Sequence, residues 1–306
     1  MRATVLIPTF DHGPLLEFSL LSALAQTVTN LEVFVVGDGV PDEARPVVER
    51  ICAVDDRVRF FDSPKGERHG ERLRHAALQD ATGDIVCYLS DDDLWFPDHV
   101  AVMADALSAA DFAGTLPVRV TSEGQVQILV ADLGRPFYRT LMATTLENRV
   151  PLSCGAHTMD LYRRLPAGWR PAPLGVPTDL HMWRQILDVP GVRAVGTDRI
   201  TMVGLHSSIR RGWTPERRLD ELREWAGRVA SPEGRAAIER EALSAYVGEA
   251  ARLEESRGRL TRRLEHVQGT ITWRLRGRVA GLIPSEVRSS LRSLSTKPSS
   301  RGSTRQ

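Results

Sequence analysis

Short apolar, β-branched runs alternate with stretches of helical periodicity over the first hundred residues, a pattern that predicts a parallel sheet with crossover helices. Strands are expected at 4–7, 31–36, 58–61 and 85–89, with helices near 15–25, 42–54 and 71–81 between them. An open sheet of this kind binds ligands beyond the carboxyl ends of its strands. The residues just after each strand are therefore the ones to inspect, and here they are polar. After Pro97 a helix to residue 110 leads to strand-like runs at 112–120 and 126–133, joined by the turn Ser122-Glu123-Gly124. Further on, a helix over 179–187 and strands at 192–195 and 200–203 stand out.

From Glu216 the pattern turns helical. Leu243, Tyr246, Ala250, Leu253, Leu260, Leu264, Val267 and Ile271 recur at spacings of three and four, interrupted by Arg257. This spacing fits a coiled-coil seam, and hence a homodimer through 243–271, but it equally fits an amphipathic helix packed back on its own domain. Gly248, Gly258 and Gly269 weaken a free-standing helix. Residues 271–283 interleave Trp273 and Leu275 with Arg274, Arg276 and Arg278, as expected of a segment lying on an anionic membrane face. The packed helix with a loose tail is the alternative, and the Ser/Arg-rich end from residue 285 is expected to be disordered.

Composition narrows the class. With 306 residues, 42% hydrophobic and 26% charged, the chain can bury a sizeable core. No apolar stretch approaches the roughly 20 residues of a bilayer span and no charged-then-apolar leader is evident, so the catalytic part is expected in the cytoplasm, with peripheral contact at the inner membrane face. Cys52, Cys87 and Cys154 are odd in number and lack metal-type spacing, as reduced core cysteines do. The net charge of +1 conceals +10 on residues 257–306 and −9 on residues 1–256, which argues against a nucleic-acid-binding body.

The chemistry centres on Asp91-Asp92-Asp93, directly after the apolar run Ile85-Val86-Cys87-Tyr88-Leu89. Three adjacent carboxylates repel one another unless neutralised, solvated or used. A Mg²⁺ or Mn²⁺ shared with a diphosphate uses them; a solvated acidic turn is the bland alternative. The context Leu89-Ser90-Asp91-Asp92-Asp93-Leu94-Trp95-Phe96-Pro97-Asp98, with Val5-Leu6-Ile7-Pro8-Thr9-Phe10 and Leu21-Ser22-Ala23-Leu24-Ala25-Gln26-Thr27 before it, resembles the inverting family 2 glycosyltransferases of the GT-A fold.

The resemblance covers about the first hundred residues and implies an α/β, Rossmann-like GT-A fold, with a mostly parallel central sheet, flanking helices and a C-terminal helical extension. It divides the chain into a nucleotide-sugar-binding half (1–110), an acceptor-binding half (111–214), a helical extension (215–284) and a tail (285–306). It implies that Pro8, Thr9, Phe10 and Asp38 hold base and ribose, that Arg72 or Arg74 faces the diphosphate, and that Asp91 lies near the ribose or donor sugar. Asp92 and Asp93 would hold the cation with His206, and Asp179 would be the general base, in Pro177-Thr178-Asp179-Leu180-His181-Met182-Trp183. The expected partners are a nucleoside diphosphate sugar and a hydroxyl acceptor. Two positions depart from the family pattern, Gly37 and Thr178, each where an acid is usual. They favour a rival reading, a silent sugar-nucleotide-binding or scaffold protein. A sugar-phosphate nucleotidyltransferase would need a Gly-rich basic loop after the first strand, which Pro8-Thr9-Phe10-Asp11-His12-Gly13 does not supply.

Overall fold

The computed structural model describes residues 1–279 apart from Glu43, with side chains up to Val267 in the last helix. Of the expected membrane-contact segment at 271–283 only the backbone to Val279 is so described, and the tail from 285 lies outside the described residues. Residues 1–246 form one compact unit and residues 247–306 a second. The expected boundary at 214/215 thus falls inside the first unit.

Among the described residues nine strands form one sheet. The first four are β1 (Ala3–Thr9), β2 (Leu31–Gly37), β3 (Val58–Phe61) and β4 (Ile85–Tyr88), linked by helices α1 (Leu15–Leu24), α2 (Arg45–Cys52) and α3 (Glu71–Leu78). Their pairings, β1 with β2, β2 with β3 and β1 with β4, are all parallel. β1 reads Val5-Leu6-Ile7 with no alternation because it is covered on both faces, and all three side chains are fully buried. The strand order β3-β2-β1-β4 reverses between β1 and β4, which makes their carboxyl ends the switch point where such sheets open a crevice.

The second half is mixed. It contains β5 (Leu94–Trp95), α4 (His99–Ala106), β6 (Phe112–Val120), β7 (Val126–Ile128), α5 (Pro136–Thr144), β8 (Gly155–Thr158), α6 (Met159–Arg163), α7 (Thr178–Leu187) and β9 (Ala194–Gly204). β8 runs antiparallel between β4 and β6, and β9 pairs parallel with β6 and antiparallel with β5. The two strands expected at 192–195 and 200–203 are one strand, β9, whose register against β6 shifts around Leu116. The run expected to extend to residue 133 stops at Ile128, and Leu133 enters the core instead.

Helix α8 (Pro215–Ala230) belongs to the first unit. Its Leu222, Trp225 and Val229 are buried in a cluster with Leu94 and Phe96, the residues that follow the aspartate triplet. Helix α9 (Pro232–Val279) follows. On it Leu243, Leu253, Leu260 and Leu264 of the heptad are 57–65% exposed. No helix among the described residues is long and apolar enough to cross a membrane.

Candidate active site

A cleft of about 490 Å³ opens at the switch point, lined by residues that follow β1, β2 and β4 and by the segment leading into α3. Pro8, Thr9, Phe10, Asp38, Arg74 and Asp91 all contribute to its wall, as do His12, Lys65, Arg68, His69, Gly70 and Ser90. Arg72 does not. It is one residue out of phase with the inward face of α3, where Glu71, Arg74 and Leu78 are buried, and it is exposed toward Glu67.

Asp38 is buried at the end of β2, with both oxygens engaged. One accepts from Lys65 Nζ at 2.5 Å and the other from the Gly66 N–H at 2.6 Å. This wall of the cleft therefore presents a carboxylate and an ammonium together, with Lys65 also 5.3 Å from the Phe10 ring centre. At Gly37 a Cβ would lie 2.8 Å from Val40 Cγ2 and 3.1 Å from Phe60, so a side chain there would require these neighbours to shift. Gly70, the residue before α3, has φ +71°, and a Cβ on it would meet Asp38 Cγ at 2.9 Å, so this loop closes over Asp38 only with glycine.

Arg74 is 7% exposed. One terminal nitrogen donates to the His69 carbonyl at 2.9 Å, the guanidinium lies 4.9 Å from the Trp169 ring centre, and Nε has no partner among the described residues. Burial lowers its pKa, opposed by Glu71, Asp179 and Asp38. A buried guanidinium with an unsatisfied donor is suited to an anion entering the cleft.

The aspartate triplet is resolved by giving each carboxylate its own partners. Asp91 Oδ1 lies 2.6 Å from His12 Nδ1. Burial alone would lower His12, but the Asp91 hydrogen bond and the charges of Asp91, Asp92 and Asp11 lift it to about 9. Asp92 Oδ2 accepts from Ser207 N and Oγ at 2.8 and 2.7 Å, and the buried guanidinium of Arg218 on α8 lies 3.7 Å away. Asp93 is fully enclosed, accepting from Leu205 N at 2.9 Å and Ser153 Oγ at 2.6 Å. Burial and the Asp92 charge push it up to about 6 against the pull of His206 and these two hydrogen bonds.

Among the described residues, ligand atoms of His12, Asp91 and Asp92 lie within 4.8 Å of one another; the expected trio Asp92, Asp93 and His206 forms no such group there. Both oxygens of Asp93 tie the triplet to the loops after β9 and before β8. His206 acts electrostatically on Asp93 and Asp179. The two carboxylates suit Mn²⁺ or Mg²⁺, and the His12 imidazole could join them only once it has lost its proton; Asp91 and Asp92 each keep one oxygen without a hydrogen bond among the described residues.

Asp179 sits in the first turn of α7. Its Oδ2 accepts from Asn148 Nδ2 at 2.7 Å and its Oδ1 from the Leu180 N–H at 2.9 Å. Burial raises its pKa, opposed chiefly by the Leu180 N–H and by Arg74. His12, Asn148, Ser207 and Arg218 escaped the sequence reading. His12 had a legible signal, its place in the loop after β1; Asn148, Ser207 and Arg218 reach the site only through long-range packing.

The sequence profile of "Glycosyl transferase family 2" matches residues 4–164. An uncharacterized glycosyltransferase of Nostoc sp. is 27% identical over 118 residues, 38% of this chain and 36% of the relative. The GalNAc(5)-diNAcBac-PP-undecaprenol beta-1,3-glucosyltransferase of Campylobacter jejuni is 30% identical over 92 residues, 30% of each chain. The matched stretch thus spans about a third of these relatives' length. Among solved structures, S. aureus TarS 1–349 in complex with UDP-GlcNAc aligns at TM-score 0.52 and 16% identity over 70% of this chain and 62% of that one. The mannosyltransferase PcManGT from Pyrobaculum calidifontis, in complex with GDP-Man and Mn²⁺, aligns at TM-score 0.50 and 21% identity over 85% and 80%. These likenesses show the fold expected of GT-A enzymes, and the profile, which spans more than half of the chain, shows the family: the chain belongs to glycosyl transferase family 2.

Proposed function

We propose that this chain is a metal-dependent, inverting glycosyltransferase that moves a sugar from a nucleoside diphosphate donor to a hydroxyl of a glycan, lipid-linked or metabolite acceptor. The observation that carries this reading is the meeting of Asp38, Asp91 and the incompletely bonded Arg74 in one cleft at the sheet's switch point. Asp38, with Lys65, faces the base and ribose together with Pro8, Thr9 and Phe10. Arg74 faces the diphosphate. His12, Asp91 and Asp92 would hold a Mg²⁺ or Mn²⁺, which stabilises charge on the departing diphosphate.

Asp179 accepts the acceptor's hydroxyl proton as that oxygen bonds to the anomeric carbon. The carbon–oxygen bond to the diphosphate breaks on the opposite face, in a single displacement. A raised pKa makes Asp179 a stronger base than an exposed carboxylate, and Asn148 fixes one of its oxygens. The PP-undecaprenol acceptor in the name of the Campylobacter relative makes a lipid-linked hydroxyl the first acceptor to test.

The test is hydrolysis or transfer from UDP-glucose, UDP-GlcNAc and GDP-mannose with Mg²⁺ or Mn²⁺, read by product mass, for the native chain and for Asp179→Asn. Turnover by the native chain and its loss in the variant are expected. Binding without turnover in both would sink the enzymatic reading, and full turnover in the variant would dismiss Asp179 as base.

A further inference from the structure

Glu71 is a buried carboxylate that the mechanism above does not use. It opens α3, is 0% exposed, and has one oxygen on each of two elements. Its Oε2 accepts from the His69 N–H at 3.0 Å, and His69 and Gly70 line the donor cleft. Its Oε1 accepts from Thr178 Oγ1 at 2.6 Å, and Thr178 is the first residue of α7, next to Asp179. The same loop is tied a second time, because Arg74, one turn along α3, donates to the His69 carbonyl while its charge acts on both Glu71 and Asp179.

A carboxylate with no exposure is stable only where donors replace its lost water. Its two donors here come from segments more than a hundred residues apart in sequence. One belongs to the wall of the donor cleft and the other to the turn that carries Asp179. A loose hydroxyl at position 178 would leave the first turn of α7 free to rotate, and an error of about 1 Å in a reacting group costs on the order of a hundredfold in rate.

We infer that Glu71 is a positioning residue: through Thr178 it fixes the first turn of α7, and so the Asp179 carboxylate, relative to the donor-cleft loop at His69–Gly70. This rests on the reading of Asp179 as base. The bridge transmits the position of the donor loop to the proton acceptor, so the two sides of the site are aligned before the acceptor hydroxyl is deprotonated.

The experiment uses the full chain, Mn²⁺ and whichever of UDP-glucose, UDP-GlcNAc and GDP-mannose it turns over. It compares Thr178→Val, Thr178→Ser, Glu71→Gln and Asp179→Asn for kcat, donor KM, pH profile and thermal melting. Thr178→Val should lower kcat about tenfold or more with donor KM within about twofold, because only the α7 side of the bridge is cut. Thr178→Ser, which keeps the hydroxyl, should restore kcat. Glu71→Gln should lower kcat as well and move the acid limb of the kcat profile to lower pH, since Arg74 then acts on Asp179 without the opposing charge. Native-like melting in Thr178→Val separates positioning from folding. Native kcat in Thr178→Val, or equal loss in Thr178→Val and Thr178→Ser, overturns the positioning role while leaving Asp179 as base. Turnover by Asp179→Asn, or none by the native chain, overturns the base and the positioning role together.

Discussion

Asp92 and Asp179 carry opposite predictions about charge. Asp92 is the member of the triplet that both belongs to the His12 group and is countered by a buried guanidinium. Asp92→Asn is expected to lower metal-dependent turnover by about a hundredfold or more while the fold persists, measured as kcat against Mn²⁺ concentration beside a thermal melt. Asp179 has its pKa raised by burial and must be ionised to accept a proton. Activity should therefore fall as pH drops through a value above the ordinary carboxylate value of about 3.9, as a kcat profile would record. The stability sign is the reverse. A group whose folded pKa is raised favours the folded state below its unfolded pKa and loses that contribution as pH rises through the folded one. At neutral pH the ionised Asp179 thus works against folding. Asp179→Asn should melt at a higher temperature than the native chain at pH 7, with the difference shrinking toward pH 4. Equal melting at both pH values would contradict the burial argument.

At the scale of elements, the site depends on a helix that the linear pattern assigned to an extension. Helix α8 buries Leu222, Trp225 and Val229 against Leu94 and Phe96, and supplies Arg218 beneath Asp92. Trp225→Ala is expected to cost about 3–5 kcal/mol, readable by denaturant unfolding, and a chain cut after residue 214 should fail to give a soluble, cooperatively melting protein. Its periodicity was legible from Glu216, but which strand it covers was not, because an amphipathic stripe states that a face is buried without naming the partner. Similar reasoning applies to β8 and β5. Gly155–Thr158 and Leu94–Trp95 are too short to show a period, and each becomes a strand only because β4, β6 and β9 present edges to it.

For the molecule as a whole, the heptad leucines of α9 form a row of exposed apolar side chains. Leu253, Leu260 and Leu264 are 57–65% exposed in the second unit. Seam spacing in a 48-residue helix makes self-pairing its expected use. Sedimentation of the full chain over a concentration series should show a dimer that Leu253→Asp with Leu260→Asp converts to monomer. A native chain that is monomeric at every concentration would dismiss the pairing. Flotation with anionic vesicles, with and without residues 271–306, tests the basic end separately.

The sequence by itself determined the elements and the place of the cleft. Continuous apolar runs at β1, β2 and β4 require burial on both faces, helical stripes between them require parallel crossovers, and ligands then bind beyond the strand ends. Pro8, Thr9, Phe10, Asp38 and Asp91 were named by the family resemblance, and each lies within a few residues of a strand end and lines the cleft. Tertiary structure alone decided how the charges are divided. His12, Ser207, Arg218 and Ser153 approach the triplet from four separate segments, so Asp93 became a buried tie while Asp91 and Asp92 each kept one oxygen without a hydrogen bond among the described residues; on α3, Arg72 turned outward and Arg74 turned in. Hydrogen bonds and ion pairs act over a few ångströms in space, and no spacing along the chain records which distant residues will arrive there.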